Sequence, residues 1–224
     1  MPANIALPAS PAQAPALNQG LELRSVRCER GGRVLFSKLD CSVRRGQLLR
    51  VQGANGAGKT SLLRMLCGLL PPADGEILWQ GQPIQGQAEE FGRQLVYIGH
   101  AAALKDDLSA LENLQTACLL GGIHVEADHA LSALRQAGLA GREHAAARLL
   151  SQGQRRRVAL ARLVVARHAP LWILDEPFNA LDSAATAWLG GLIGEHLAHG
   201  GVVALSSHQP VTIDDTAEQV RLEL

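Results

Sequence analysis

The segment Gly53, Ala54, Asn55, Gly56, Ala57, Gly58, Lys59, Thr60 and Ser61 fits G-x-x-x-x-G-K-[ST], with Gly53, Gly58, Lys59 and Thr60 at its fixed positions. Glycines at that spacing let the backbone curl until successive N–H groups face one set of anionic oxygens, and a following helix adds its positive N-terminal end. Lys59 is placed to bridge the β- and γ-phosphates of a nucleoside triphosphate, and the Thr60 hydroxyl to ligate Mg2+. A second stretch, PLWILDEP, reads as a buried strand ending in Asp175 and Glu176. Asp175 is suited to hold Mg2+, directly or through water, and Glu176 to polarise a water beside the terminal phosphate. In a third, LSQGQRRRVALARLVVAR, Ser151 and Gly153 precede a long helical pattern and can present another phosphate-binding helix N-terminus. One nucleotide does not readily engage two such ends from distant parts of one chain. Ser151 is therefore expected to serve a nucleotide held by a second copy. Arg155 and Arg156, just beyond it, are expected on a solvated helix face.

These groups need a scaffold, and the hydrophobic pattern supplies one. LELRSVRCE and RVLFSKLDCSV read as strands joined by a turn at RGGR, and EILWQGQPI as a further hairpin turning at Gln80–Gly81. Together they predict an antiparallel sheet early in the chain. QLLRVQG, QLVYIGH, PLWILDE and GVVALSSH are short apolar runs ending in polar or glycine-rich loops, the mark of buried parallel strands. The fold class is α/β with a mostly parallel central sheet. Between Ala101 and Ser151, LSALENLQTACLL and EADHALSALRQAGL carry helical spacing with no strand between them, so residues 101–150 are expected as an inserted helical subdomain. Residues 1–20 are rich in Pro and Ala and contain no Lys or Arg, which predicts a disordered leader rather than a signal peptide. The folded domain is expected over residues 21–224.

With 21 acidic and 21 basic residues, the chain lacks the electrostatic footprint of a dedicated nucleic-acid binder. No apolar run approaches the ~20 residues that a membrane span requires. Cys28, Cys41, Cys67 and Cys118 show no metal-ligand spacing and are expected as free thiols in a reducing compartment.

Taken in order and spacing, GANGAGKTS, LSQGQRRR, WILDEP, NALD and SSHQP resemble an ABC-type ATPase domain, over nearly the whole chain from about Leu21. The resemblance implies a P-loop NTPase core and ATP with Mg2+ as ligands. It also implies a head-to-tail dimer of two copies closed over two ATP molecules. It assigns nucleotide contacts to Gly53 through Ser61 and, across the dimer, to Ser151, Gly153, Gln154 and Asp182. Asn179 to Asp182 match the loop that communicates between copies, and His208 the switch histidine near the γ-phosphate. Three positions depart from the family's pattern. Arg30 stands where an aromatic residue usually stacks on adenine, so base stacking would rest on a guanidinium. His100 replaces the loop glutamine after the third core strand, and its protonation near neutral pH would remove an acceptor, which predicts pH-sensitive coupling. Gln152 replaces the first glycine of the signature pair.

Within the family, CERGGRVLF, ILWQGQPI, YIGH, ALENL and LWILDEPFNALD are most similar to the ATP-binding subunits of cytochrome c maturation haem exporters. That likeness implies a peripheral protein on the cytoplasmic face of a bacterial inner membrane, with integral membrane subunits as partners. ATP hydrolysis would drive haem export or the release of a haem-loaded chaperone. The competing reading, a soluble ABC-type ATPase acting on ribosomes or DNA, usually brings two cassettes in one chain or long basic insertions, and neither occurs here. An ABC ATPase serving another substrate is a further alternative. A non-catalytic scaffold would lack the acid that Glu176 provides.

Overall fold

The computed structural model describes residues 20–207 and 218–224. Two sheets form its framework. Strands β1 (Leu21–Arg30), β2 (Arg33–Val43), β4 (Asp74–Trp79) and β5 (Gln82–Pro83) make an antiparallel sheet in the order β2-β1-β4-β5. Its two hairpins turn at Gly31–Gly32 and Gln80–Gly81, with positive φ at all four residues, the geometry that matches strand twist in a two-residue turn.

The second sheet is wholly parallel, in the order β6-β7-β8-β3-β9. Four of its members are the strands expected from sequence: β3 (Leu48–Gln52), β6 (Leu95–Ile98), β7 (Leu171–Asp175) and β8 (Val202–Ser206). The fifth, β9 (Gln219–Glu223), was not anticipated, and it pairs with β3 as an edge strand. Successive side chains point to opposite faces of this sheet. Trp172, Leu174, Val203 and Leu205 enter one core, while Leu171, Ile173, Val202 and Ala204 enter another. The second core lies under α1 (Lys59–Leu66) and the antiparallel sheet. The first is covered by α3 (Ala110–Leu120), α4 (Ala127–Gln136), α5 (Gln152–Val165) and α6 (Ser183–Ala198). Burial on both faces explains why β7 and β8 read as unbroken apolar runs.

Helices α3 and α4, with a short 3-10 turn at Ala147–Leu149, occupy the stretch between β6 and α5 and pack on α5. A short helix α2 (Ala88–Gly92) precedes β6. On the face away from the antiparallel sheet, Trp172 of β7 stacks on His196 of α6, with ring centroids 3.8 Å apart and planes 6° from parallel. Burial pushes the His196 imidazole down to about 4. All four cysteines are free, three of them buried. Among the described residues no helix is long and apolar enough to cross a membrane.

Candidate active site

The glycine loop runs from the end of β3 to the start of α1, beside the tips of β7 and β8. Gly58 caps α1 with φ +112, and a Cβ there would come within 3.0 Å of the Phe36 ring of β2. The helix start has no side-chain cap and no acidic residue in its first turn. Its N–H groups and the N-terminal end of its dipole therefore suit an incoming anion. Lys59 Nζ donates to the carbonyls of Gly53 (2.9 Å) and Ala54 (3.0 Å). An ammonium has three donors, so one remains for the cleft.

That cleft holds about 420 Å3 and is lined by Leu35, Asn55, Gly56, Gly58, Lys59, Thr60, Ser61, His100, Glu176 and Asn179. The structure thus brings the glycine loop, His100 and Glu176 to one cavity. Behind it, Thr60 Oγ1 donates to Asp175 Oδ2 at 2.9 Å, and Ser206 Oγ donates to Asp175 Oδ1 at 2.7 Å. Ser206 Oγ also accepts the Glu176 N–H at 3.0 Å. A hydroxyl and a carboxylate in contact form a hard oxygen donor pair, the chemistry that suits Mg2+. Glu176 is 7 % exposed and its φ is +51, a left-handed conformation that is costly for a residue with a Cβ. Such strain clusters where a side chain must be aimed.

Arg30 stands at the exposed end of β1 and does not line the cleft, whereas Leu35, across the hairpin on β2, does. His208 lies outside the described residues.

The second predicted helix N-terminus is also present. Ser151 caps α5 in a capping box: its Oγ accepts the Gln154 N–H at 3.2 Å, and its own N–H donates to Gln154 Oε1 at 2.9 Å. Ser151, which is exposed, and Gly153 and Gln154, which are half-buried, do not line the cleft of their own chain. A Cβ on Gly153 would lie 2.5 Å from the Ala180 carbonyl, so the loop 179–182 sits directly against the start of α5. Asp182 caps α6 through the Ala185 N–H at 2.8 Å and also accepts from Arg157. The Ala185 N–H, and then the Arg157 guanidinium, hold its carboxyl below the usual carboxylate range.

The expectation for the arginine run is overturned. Arg156 is 4 % exposed, and its guanidinium donates to the carbonyls of Gly99, His100, Asp175, Glu176 and Pro177. Burial lowers its pKa, offset in part by the Asp175 and Glu176 carboxylates. Arg155 is half-buried, donating to Asp106 and to the Ala147 carbonyl. The sequence did carry a signal. Arg156 precedes the buried Leu160 and Leu163 by four and seven residues, which places it on the apolar stripe of α5. Ser206 was equally unanticipated as the second hydroxyl on Asp175.

Known proteins resemble this chain over most of its length. A family profile described as ABC transporter matches residues 36–179. A cytochrome c biogenesis ATP-binding export protein, CcmA, from Dechloromonas aromatica (strain RCB) is 53 % identical over 203 residues, covering 90 % of this chain and 99 % of that protein. A solved ATP-binding subunit of an ABC transporter superposes with a TM-score of 0.78 at 28 % identity, covering 90 % of this chain and 85 % of that one. A dimeric ATP-binding cassette, solved after hydrolysis with ADP and Pi, shares the fold with a TM-score of 0.77 at 22 % identity, covering 91 % and 96 %.

Proposed function

This chain belongs to the ABC transporter family of ATP-binding proteins, and from that premise we propose that its cleft binds ATP and hydrolyses it on Glu176. It is an ABC-type ATPase of cytochrome c biogenesis, as its likeness to the export protein of Dechloromonas indicates. The observation that carries the mechanistic reading is the meeting of the glycine loop, Lys59 and Glu176 in one cavity, with Thr60 and Asp175 in contact behind it.

The glycine loop and the α1 N-terminus receive the phosphates, and the remaining Lys59 N–H reaches the β- and γ-oxygens. Thr60 and Asp175 would hold Mg2+, which when bound neutralises charge on the phosphate oxygens. The Glu176 carboxylate accepts a hydrogen bond from a water and aims it at the γ-phosphorus. Leu35 offers an apolar surface toward the base, in the role that the sequence had suggested for Arg30. His208 is proposed from the family likeness as the switch histidine.

A second copy completes the site. Ser151, Gly153 and Gln154 lie outside their own chain's cleft, so they serve the nucleotide of the partner copy. The Ser151 hydroxyl accepts within its own helix and keeps its proton to donate to a phosphate oxygen. Residues 101–150 form the subdomain that meets integral membrane subunits at the cytoplasmic face of the inner membrane. In support, a cavity of about 270 Å3 opens between residues 97–104 and helices α3 and α5. Leu119, Leu120 and Leu149 are exposed in the same region. Opening and closing of the dimer would drive haem export or the release of a haem-loaded chaperone.

The test traps the Glu176→Gln protein with ATP in its native membranes and identifies what co-purifies by mass spectrometry. Turnover should fall by roughly 1000-fold with ATP still bound, as for loss of a general base. Haem-handling membrane subunits should be recovered. Normal turnover would remove Glu176 from its role, and ribosomal or DNA-repair partners would remove the exporter assignment.

A further inference from the structure

Arg155 and Arg157 pair with carboxylates, Asp106 and Asp182 respectively. Arg156, between them, instead spends its guanidinium on the main chain. Nε donates to Pro177 O (3.3 Å), Nη1 to Gly99 O (2.7 Å) and His100 O (3.2 Å), and Nη2 to Asp175 O (2.8 Å) and Glu176 O (2.9 Å). A guanidinium has five N–H donors in a fixed planar fork, so every one of them meets a carbonyl. These carbonyls come from two separate segments. One is the turn that carries His100 after β6, and the other is the turn that carries Glu176 after β7.

We infer that Arg156 is a positioning residue for ATP hydrolysis, holding the backbone under Glu176 and His100 in one frame and tying that frame to the helix that Ser151 caps. The inference rests on the reading of Glu176 as the group that aims the water. Pinning Asp175 O and Glu176 O fixes the peptide planes on both sides of Glu176, and the Glu176 N–H is held by Ser206. The left-handed φ of Glu176 persists only where its surroundings over-determine it, and Arg156 and Ser206 do so. Arg156 sits at the beginning of the second turn of α5, four residues after Gln152 at the helix start. A shift of α5 when Ser151 engages a partner's nucleotide therefore reaches the Glu176 turn through three hydrogen bonds and the His100 turn through two, rather than through loose packing. Lysine, a point charge with three donors, cannot reproduce the fork.

The inference is tested with Arg156→Lys and Arg156→Gln, alone and combined with Glu176→Gln, by measuring ATP affinity and single-turnover hydrolysis. Each single variant should lose roughly 100-fold in kcat, the scale of an ångström of misplacement. Its ATP affinity should stay within about twofold, the split expected of a group that acts on the reaction rather than on binding. In the Glu176→Gln background the same changes should lower the residual rate by less than about threefold, because the group they position is already gone. Unchanged kcat, an affinity loss matching the kcat loss, or full additivity in the double variants would overturn the inference. Loss of cooperative thermal unfolding in both variants would assign Arg156 to the fold and overturn it too. Normal turnover by Glu176→Gln alone would show, without any Arg156 variant, that the premise itself had failed.

Discussion

Helices α1 and α5, the two helix starts proposed to receive phosphates, are finished in opposite ways. Gly58 gives α1 no side-chain cap, so the first N–H groups of that helix have no partner from the capping residue. Ser151 and Gln154 close α5 on itself with a reciprocal pair of hydrogen bonds. The first terminus suits a ligand that is held through most of the cycle. The second already has its Ser151 and Gln154 N–H groups paired without a ligand, so fewer donors are left open when a ligand departs. On the proposed reading, the contrast would give affinity to α1 and switching to α5.

The sharpest way to test the division is at Lys59. Lys59→Ala should weaken ATP binding about 100-fold, the scale of a lost hydrogen bond to a charged group, as measured by equilibrium titration. Retained affinity would deny α1 its role. A smaller effect of the other kind is expected from Gly153→Ala, because its Cβ would lie 2.5 Å from the Ala180 carbonyl and must displace the start of α5. Turnover should drop roughly tenfold with affinity unchanged, a fraction of an ångström costing less than a full one. Ser151→Ala should cost about 1 kcal/mol of stability through the lost cap, seen in denaturant unfolding, and slow turnover a few-fold. Weakened ATP binding by a monomer carrying either α5 change would collapse the distinction between the two helices.

A control lies away from both helix starts. His196 is held down to about 4, so between that value and about 6.5 the unfolded chain takes up a proton that the folded one refuses. Stability is complete above about 6.5 and falls as pH drops through that window. The loss should be about 2 kcal/mol by pH 5, measured by chemical denaturation. His196→Phe should flatten that segment while leaving ATP affinity at neutral pH unchanged. A slope that survives the substitution would place the titrating group elsewhere.

The parts of the cleft that come from contiguous residues were legible in the sequence. Gly53 to Ser61 and the Asp175–Glu176 pair are local motifs, and the runs around them alternate or cluster as their strands require. What escaped was set by contacts far apart in the chain. Ser206 reaches Asp175, and Leu35 rather than Arg30 reaches the cleft, only because the two sheets and α1 pack as they do. Arg156 was hidden by its charge: three adjacent arginines suggest solvent, although the helical period already put one of them on the buried stripe. The strand β9 went unread, although Val220 and Leu222 alternate along it, and its place beside β3 depends on a parallel pairing that no local signal specifies.

That last pairing bears on how the molecule is made. Strand β3, which launches the glycine loop, has β8 and β9 as its neighbours in the sheet, so Leu48 must wait for Val203 and Gln219. Contacts between such distant residues form slowly, because a long loop must close before they add any stability. During synthesis, which proceeds from the N-terminus, the glycine loop leaves the ribosome early with nothing to brace it. Nucleotide cannot serve as a template for the growing chain. It can reward only a polypeptide that is almost finished.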